Sequence, residues 1–245
     1  MQFDNIYEDD RRARAYSKLE FPGTYYLAYR DLPAIISNHV KGQIALDFGC
    51  GTGRSTRYLK NLGFDVIGVD ISSKMLEQAQ AADPDGTYQI IKDGDLSQLR
   101  KAGFDLVLSM FTFDNIPTEE KKLKNFKAIR DLVNSNGIMI NLVSSPKIYL
   151  HEWASFSTRD FPENRLAKSG DKVKIVMTDV EDQRPVEDVL WSDSAYHDNY
   201  VQAGLEIIEI HKPLGKTSEP YRWVTETEIA PWIIYVLKST KAQIQ

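Results

Sequence analysis

The segment most informative about the fold is Ala45-Leu46-Asp47-Phe48-Gly49-Cys50-Gly51-Thr52-Gly53-Arg54. A short apolar run enters it, three glycines follow at alternate positions, and an amphipathic run from Ser55 to Leu62 leaves it. Glycines at this spacing let the backbone turn sharply after a strand and approach a ligand closely. The stretch therefore predicts a strand, a ligand-binding turn and a helix, with an ordinary strand-to-helix turn as the alternative interpretation.

The spacing of these glycines separates two kinds of nucleotide site. The dinucleotide fingerprint is Gly-x-Gly-x-x-Gly, whereas this chain has Gly-x-Gly-x-Gly with Arg54 at the sixth position. The phosphate-binding pattern that ends in Gly-Lys-Ser/Thr is also missing from the turn. Asp47, just before the first glycine, is a carboxylate suited to attract a positively charged ligand. The turn therefore fits a cationic ligand better than a pyrophosphate.

Asp70 is the second candidate anchor for a ligand. It ends the next apolar run, Val66 to Val69, at the carboxyl edge where open α/β sheets bind their ligands. A carboxylate in this place can accept hydrogen bonds from both hydroxyls of a ribose. The alternative is that Asp70 caps the following helix, but Ser72 is also available as the cap. We therefore favour the ribose-binding role.

Apolar and amphipathic runs alternate along most of the chain. Continuous apolar strands between amphipathic helices predict an α/β fold with a mostly parallel sheet and helices on both of its faces. The predicted strands are residues 44–46, 66–69, 88–91, 104–109, 138–143, 205–210 and 232–237. The predicted helices are residues 55–62, 73–82, 118–133 and 196–203, after an N-terminal helix that begins near Leu32 and is closed by Gly42.

Two segments depart from this alternation. Residues 1–40 are polar and rich in tyrosine, and we expect them to form an N-terminal cap segment. Residues 144–192 contain no long amphipathic run, and Val173–Met177 and Val186–Trp191 predict two strands joined by a polar turn. We expect this insertion to form a β-hairpin lid on a single domain that spans residues 1–245.

The composition favours a globular domain. With 245 residues, of which 42% are hydrophobic and 27% charged, the chain can build a core without disulfides or metals. Cys50 is the only cysteine, which excludes an intramolecular disulfide. The net charge of −5, with both signs interspersed, disfavours nucleic-acid binding. The sequence has neither a signal-peptide pattern nor a long apolar run, so we expect a cytoplasmic protein without a membrane partner.

Four motifs in order carry a resemblance to a known family. They are Asp47 to Gly53, Gly68-Val69-Asp70-Ile71-Ser72, Gly94-Asp95-Leu96 and Phe104-Asp105-Leu106-Val107-Leu108-Ser109. Together they resemble class I S-adenosylmethionine (SAM)-dependent methyltransferases over residues 43–142. The resemblance implies a Rossmann-like seven-stranded sheet whose last strand is antiparallel and inserted between the fifth and the sixth. It also implies methyl transfer, with SAM as the cofactor and S-adenosyl-L-homocysteine (SAH) as the product.

The same resemblance implies a set of cofactor-binding residues. Asp95 and Leu96 border the adenine in that family, and Ser109 and Phe111 fall near the methionine part and the reacting methyl group. The full set is Asp47, Gly49, Cys50, Gly51, Gly53, Asp70, Ile71, Met75, Asp95, Leu96, Ser109 and Phe111.

Residues around the end of the fourth strand are candidates to bind the methyl acceptor. We expect Tyr25, Tyr26, Asn115 and Trp153 to contribute, with ordinary packing as the alternative for each aromatic residue. Asn115 and its neighbour Asp114 either orient a polar acceptor or begin the next helix.

His151 is the candidate general base. It lies in the predicted lid beside Glu152 and Trp153, and imidazole titrates near neutral pH. A surface or packing role is the alternative. The four histidines show no short spacing typical of metal ligands, so we expect no metal site.

Three classes of function remain open. The first is a methyltransferase that acts on an oxygen, nitrogen or carbon atom of a small molecule, with a homodimer as an open expectation. The second is an RNA or protein methyltransferase, which the acidic balance and the sequence Ser109-Met110-Phe111-Thr112 disfavour, because an Asn/Asp-Pro-Pro-Tyr/Phe-like motif is missing there. The third is a non-catalytic SAM binder or an NAD-dependent oxidoreductase on the same fold.

Overall fold

The computed structural model of the chain describes residues 9–92 and 95–240. The helices in these ranges are α1 (Asp10–Ser17), α2 (Thr24–Arg30), α3 (Leu32–His39), α4 (Arg54–Asn61), α5 (Ser73–Ala82), α6 (Glu119–Leu132) and α7 (Asp193–Ala203). The strands are β1 (Ile44–Phe48), β2 (Asp65–Asp70), β3 (Thr87–Ile90), β4 (Phe104–Met110), β5 (Val133–Ser144), β6 (Phe156–Ser157), β7 (Lys172–Met177), β8 (Val186–Val189), β9 (Leu205–His211) and β10 (Trp232–Ser239).

A seven-stranded sheet in the order β3-β2-β1-β4-β5-β10-β9 forms the centre of the molecule. Strands β1 to β5 pair in parallel, whereas β10 runs antiparallel to both of its neighbours, β5 and β9. The predicted Rossmann-like sheet and its inserted antiparallel strand are therefore confirmed. Because the strand order reverses between β1 and β4, a crevice opens at their carboxyl ends, where ligands bind in such sheets.

Side chains that alternate along the strands feed two cores, one on each face of the sheet. On β4, Leu106 and Leu108 belong to a first core that includes residues of α2, α3 and α4. Val107 belongs to a second core, which includes residues of α6 and α7. The predicted helices on both faces are confirmed, because period-two alternation delivers apolar side chains to both sides.

The insertion, residues 144–192, folds into a second, three-stranded antiparallel sheet in the order β6-β7-β8. The predicted hairpin is confirmed in β7 and β8, which pair antiparallel from Lys172 with Val189 to Ile175 with Val186. The two-residue strand β6 was not predicted, because two residues carry no readable periodicity. Val173 and Ile175 lie in the first core, so the insertion packs on the same face of the main sheet as the N-terminal helices.

The prediction that Gly42 closes the N-terminal helix is wrong. Helix α3 ends at His39, and its cap Val40 is extended and donates its backbone N–H to the Ile36 carbonyl at 2.8 Å. Gly42 instead permits a close approach, since a Cβ there would lie 1.9–2.3 Å from the carboxyl group of Asp105. Residues 1–8 of the predicted cap segment and Gly94 of the third motif lie outside the described residues.

Candidate functional site

The glycine turn, Gly49–Gly53, lies at the carboxyl end of β1. Gly49, Gly51 and Gly53 all have positive φ angles, of 74°, 54° and 77°, a conformation that residues with a side chain rarely adopt. The backbone N–H groups of Gly49 and Cys50 both donate to the Val69 carbonyl, at 2.8 and 3.0 Å, so the turn folds over the end of β2.

The glycine turn also permits two close contacts with side chains. A Cβ at Gly49 would lie 2.1 Å from the Thr112 hydroxyl oxygen, and a Cβ at Gly53 would lie 2.6 Å from the Tyr88 hydroxyl oxygen. The glycines are therefore required by packing as well as by φ, which the sequence pattern alone did not indicate.

Asp70 connects the glycine turn to the start of α5. Its Oδ2 accepts the backbone N–H of Gly51 at 2.8 Å, and its Oδ1 accepts that of Ser72 at 2.9 Å. The cap of α5 is Ser72, whose hydroxyl oxygen accepts the Met75 N–H at 3.2 Å, so Asp70 is not the helix cap. The half-buried carboxyl group stands at the edge of the sheet where we predicted ribose binding.

Asp47 is fully buried below the glycine turn. Its Oδ2 accepts the hydroxyl groups of Ser55 at 2.7 Å and Thr56 at 2.6 Å, which anchors the first turn of α4. Its Oδ1 is buried and has no hydrogen-bond partner among residues 9–92 and 95–240, and the same is true of the Ser109 hydroxyl oxygen in β4. Burial raises the pKa of Asp47 to about 6.

These buried polar atoms and the glycine cradle fit the cationic, hydroxyl-rich cofactor that the sequence predicts. Two orphaned oxygens, on Asp47 and Ser109, sit on adjacent strands β1 and β4, and buried polar groups normally have partners. A bound cation, or water, supplies such a partner.

The other predicted cofactor residues differ in exposure. Ile71 is 46% exposed beside Asp70, whereas Met75 is buried and its terminal methyl carbon would lie 3.2 Å from a Cβ at Gly51. Asp95 is exposed, and its hydrogen bonds from Ser97 lower its pKa. Leu96 is buried in the second core.

A cavity opens between the carboxyl ends of β4 and β5 and the insertion. Its lining residues are Tyr16, Tyr25, Phe111, Asp114, Asn115, Ser144, Ile148, Tyr149, Phe156, Ile175, Met177, Val186, Asp188 and Trp232. Tyr25 and Asn115, two of the predicted acceptor-binding residues, are among them, as is the predicted cofactor residue Phe111. Aromatic rings from the N-terminal segment, the residue after β4, the insertion and β10 therefore line one cavity.

The remaining predicted acceptor residues do not line the cavity. Tyr26 is half-buried against Tyr221, with 4.9 Å between ring centroids. Trp153 is buried and donates its Nε1–H to the Ile148 carbonyl at 2.7 Å. His151 is half-buried, and its ring stands edge-on to Trp153 at 6.1 Å. The roles of these residues in binding and catalysis stay predictions.

Asp114 lies in the polar wall of the cavity, in a short 3-10 helix at Thr112–Asn115. Its Oδ2 accepts the Ser144 N–H at 2.9 Å, and its Oδ1 accepts the Tyr196 hydroxyl at 3.3 Å. Neither Asp114 nor Asn115 begins the next helix, because Thr118 caps α6. Burial raises the pKa of Asp114 above its usual value.

Asp188 of β8 is the second acid in this wall. It is 8% exposed, and its Oδ2 accepts the Tyr149 hydroxyl at 3.0 Å. Burial, together with the nearby charge of Asp114, raises the pKa of Asp188 to about 7. Acids this deeply buried and with raised pKa values are more frequent at functional sites than elsewhere, so the pair makes this wall a candidate site.

Lys122 of α6 lies behind this wall and is fully buried. Its ammonium group donates to the Phe113 carbonyl and, at 3.2 Å, to the Tyr196 hydroxyl, and it faces the Trp191 ring at 4.7 Å from the centroid. Burial lowers the pKa of Lys122 to about 7, although the charge of Asp114 opposes this shift.

Asp188 and Lys122 were missed by the sequence analysis, although each carried a signal. Alternation along β8 assigns Asp188 to the same buried face as Val186. Helical spacing assigns Lys122 to the buried stripe of α6 with Phe126 and Ile129. A charged residue at a position that the pattern assigns to the core is the signal that could have found them.

Part of the chain is similar in sequence to known methyltransferases. Residues 46–141 match the family model of the methyltransferase domain. An uncharacterized protein of Haemophilus influenzae is 30% identical over 161 residues, which cover 60% of this chain and 61% of that protein. The ubiquinone biosynthesis O-methyltransferase of Azorhizobium caulinodans is 34% identical over 104 residues, which cover 41% of this chain and 40% of that enzyme. The chain thus spans 40–61% of the length of these relatives.

Solved structures share the fold over nearly the whole chain. The CcbJ methyltransferase from Streptomyces caelestis superimposes with a TM-score of 0.66 at 17% identity, over 98% of this chain and 100% of that one. An S-adenosylmethionine-dependent methyltransferase from Clostridium acetobutylicum gives a TM-score of 0.63 at 16% identity, over 95% and 99%. Within the described ranges, no helix has the length and apolar character needed to cross a membrane, and no group of three or more His, Cys, Asp or Glu is arranged to hold a metal ion.

Proposed function

We propose that this chain, whose residues 46–141 match the methyltransferase domain model, is a class I SAM-dependent enzyme that transfers the methyl group of SAM to a small molecule in the cavity. The observation that carries this proposal is the junction at Phe111 and Thr112. Phe111 directly follows β4 and lines the cavity, while the Thr112 hydroxyl donates to the Phe48 carbonyl at 3.0 Å, at the entrance to the glycine turn. Two consecutive residues, Phe111 and Thr112, thus connect the cavity with the glycine turn.

The backbone at this junction is held in an unusual conformation. Phe111 has a φ angle of 63°, which is uncommon for a residue with a side chain. Its N–H donates to the Leu142 carbonyl at 2.9 Å, its carbonyl accepts the Asn115 amide at 3.1 Å, and its ring packs against Trp232 at 4.8 Å. These contacts fix the Phe111 ring between the two proposed sites.

The cofactor supplies a methyl group that is already activated by a sulfonium leaving group. In this proposal the carboxylate of Asp70 binds the ribose, the glycine turn lies against the methionine part, and Asp47 and Ser109 supply buried oxygens. The protein must then hold the acceptor in line and exclude water. The insertion and the N-terminal segment cover the cavity and act as a lid and a cap over a small acceptor, in a protein that we expect to work in the cytoplasm.

A two-part experiment tests this proposal. Calorimetric titration with SAM, SAH and NAD should give saturable binding of the first two only. Methyl-labelled SAM is then incubated with the protein and a metabolite extract, and the label should appear in a small-molecule fraction.

Three outcomes would count against the proposal. Binding of NAD without SAM or SAH would favour the oxidoreductase alternative. Label that enters RNA or protein instead of metabolites would favour a macromolecular substrate. SAM binding without any transfer, across extracts from several sources, would favour a non-catalytic binder.

A further inference from the structure

The charges around the cavity narrow the chemistry of the methyl acceptor. We propose that the acceptor is an amine that enters the cavity protonated, pairs with the Asp188 carboxylate and loses a proton to it before it is methylated. This inference rests on the methyl transfer proposed above, because it names the class of acceptor for the same site.

Asp188 lines the cavity, and only one of its two carboxylate oxygens accepts a hydrogen bond from the part of the chain that the structure describes. The residue lines the cavity and is more than nine-tenths buried, with Oδ2 held by the Tyr149 hydroxyl at 3.0 Å. Its Oδ1 has no hydrogen-bond partner in residues 9–92 and 95–240. A buried carboxylate oxygen gains most from a charged donor, because ionic hydrogen bonds are about twice as strong as neutral ones.

Lys122, the one buried lysine among residues 9–92 and 95–240, interacts more strongly with Asp114 than with Asp188. Lys122 donates to the Tyr196 hydroxyl at 3.2 Å, and this hydroxyl donates to Asp114 at 3.3 Å. Asp114 exerts the larger electrostatic effect on Lys122, and Asp188 the smaller. Among the described residues that line the cavity there is no Lys or Arg. With Lys122 assigned to Asp114, the negative charge of Asp188 has no counterion of its own within the described ranges, and a protonated amine supplies one.

The rest of the lining suits a cation with an apolar body. Tyr25, Phe111, Phe156 and Trp232 form one aromatic cluster, with ring centroids between 4.8 and 6.0 Å apart. Aromatic faces attract cations, and the Arg54 guanidinium already lies over the Tyr25 ring, 4.9 Å from its centroid. A carboxylate acceptor would face two buried acids, and an alcohol or phenol would leave the charge of Asp188 uncompensated. The amine is therefore the acceptor class that these residues favour.

The proposed reaction balances in three movements. The ammonium N–H bond breaks and the proton moves to the free oxygen of Asp188, which leaves a neutral amine with its lone pair. This lone pair forms the new N–C bond to the methyl group of SAM. The C–S bond breaks and its electron pair stays on sulfur, which gives SAH and the protonated, N-methylated acceptor.

Asp188 titrates in a range that suits this proton transfer. It faces Tyr149 from the short helix Pro146–Leu150, Asp114 from the helix after β4, and Lys122 from α6, with Glu187 as its neighbour on β8. Burial and Asp114 raise its pKa, whereas the Tyr149 hydrogen bond and Lys122 lower it, and the balance lies near neutral pH. An incoming ammonium group thus displaces a proton from the fraction of Asp188 that is protonated.

Calorimetry with matched probes tests the proposal without relying on turnover. SAH-loaded protein is titrated with benzylamine, benzyl alcohol, cresol and benzoate, and with propylamine, propanol and propionate. At least one amine should bind about tenfold more tightly than its neutral and anionic counterparts. Near pH 7 its binding heat should depend on the ionisation heat of the buffer, because a proton leaves Asp188.

Two variants assign the effect to Asp188. In Asp188→Asn the preference for amines and the proton release should both disappear, while SAH affinity stays unchanged. Glu187→Gln is the matched control, because Glu187 is the next residue on β8 and is exposed enough to pair with Lys172 outside the cavity. It should keep the preference for amines, and the proton release should move only slightly to lower pH, because Glu187 is the weakest of the charges that raise the pKa of Asp188.

A third variant, Tyr149→Phe, tests the proposal if Asp188→Asn does not fold. Tyr149→Phe removes the hydroxyl that donates to Asp188, so the carboxyl group becomes more basic and the proton release should move to higher pH.

Several results would overturn the proposal. They are equal binding of cresol or benzyl alcohol, an amine preference that survives in Asp188→Asn, and SAH binding without binding of any amine. Failure of SAM and SAH to bind would instead overturn the proposed methyl transfer, so the two failures are distinguishable.

Discussion

Asp70 combines a structural and a proposed functional task in one carboxyl group. Its two oxygens accept the N–H groups of Gly51 and Ser72, which joins the glycine turn to the start of α5. A carboxylate oxygen has more than one lone pair, so each atom can accept a ribose hydroxyl in addition. The residue that we expect to bind the cofactor thus also holds the backbone around it.

Asp70→Ala should weaken SAH binding by about 1–3 kcal/mol, because charge-assisted hydrogen bonds to the ribose are lost. Calorimetric titration measures the change. Asp65→Ala is the control, since Asp65 is an exposed residue at the opposite end of the same strand, β2. Equal affinities of the two folded variants would remove Asp70 from the cofactor site.

Asp188 should make the protein less stable as the pH rises. Its pKa is raised from 3.8 to about 7 by burial, so between about pH 4 and 7 the folded state binds more protons than the unfolded state. Stability from this group is therefore lost as the pH rises through that window. Asp188→Asn cannot ionise, so it should gain on the order of 4 kcal/mol relative to the unmodified protein between pH 4 and 8.

Urea unfolding at several pH values measures this gain. Glu187→Gln again serves as the control. Its free energy of unfolding should fall with rising pH as that of the unmodified protein does. Stability curves of Asp188→Asn and of the unmodified protein that run parallel with pH would contradict the assigned ionisation of Asp188.

At the level of secondary-structure elements, the strand-turn-helix unit from β1 to α4 places the glycine turn against the loop after β4. Gly49 is the contact point, because it has a positive φ angle and lies against Thr112. Thr112 in turn donates to the Phe48 carbonyl at 3.0 Å. The turn after β1 and the loop after β4 are therefore packed as one unit, and a change in either one is expected to disturb both.

Gly49→Ala should destabilise the protein more than Gly63→Ala does. Both glycines have positive φ angles, of 74° and 92°, so each alanine incurs a backbone cost of about 1–2 kcal/mol. A Cβ at Gly63 meets no atom within 4 Å, whereas one at Gly49 lies 2.1 Å from the Thr112 side chain. The overlap should add about 1–3 kcal/mol at Gly49.

Urea unfolding compares these two glycine variants, and SAH titration should show weaker binding only for Gly49→Ala. If both variants lose the same stability and keep the same SAH affinity, the close packing of the turn on Thr112 does not matter for function.

At the scale of the whole molecule, Glu226 joins three segments that are distant in sequence. It is fully buried in the connection between β9 and β10. Its Oε1 accepts the Thr24 hydroxyl of α2 at 2.6 Å and the Ala154 N–H of the insertion at 2.7 Å. Its Oε2 accepts the N–H groups of Val224 at 2.8 Å and Thr225 at 3.1 Å. The N-terminal segment and the insertion are thus held together over the cavity.

Glu226→Gln should lower the free energy of unfolding by about 2–4 kcal/mol, because one acceptor oxygen becomes an amide donor that faces other donors. Chemical denaturation measures the loss. Glu228→Gln, an exposed position in the same connection, is the control and should change stability by less than about 0.5 kcal/mol. A Glu226→Gln variant as stable as this control would show that the cluster does not hold the segments together.

The main sheet was predictable at the level of its elements. Periodicity and turn residues lie within a few positions of each other along the chain, so the sequence predicted all seven strands of this sheet. The inserted position of β10 came from the family resemblance, because no local pattern encodes which strands pair. The two-residue strand β6 and the end of α3 escaped prediction, since short elements take their shape from the surfaces they meet.

Local sequence was enough to predict the glycine turn, Asp70 at the end of the second strand, and the alternation that builds the sheet, because each depends on neighbours along the chain. Only the tertiary structure decided which side chains share the cavity. Tyr25, Phe111, Asp188 and Trp232 come from four separate segments, and long-range packing of the insertion on the sheet unites them. The charges of Asp188 and Lys122 acquire their chemistry in the same way, because burial, which no local pattern reports, moves both of their pKa values toward neutrality.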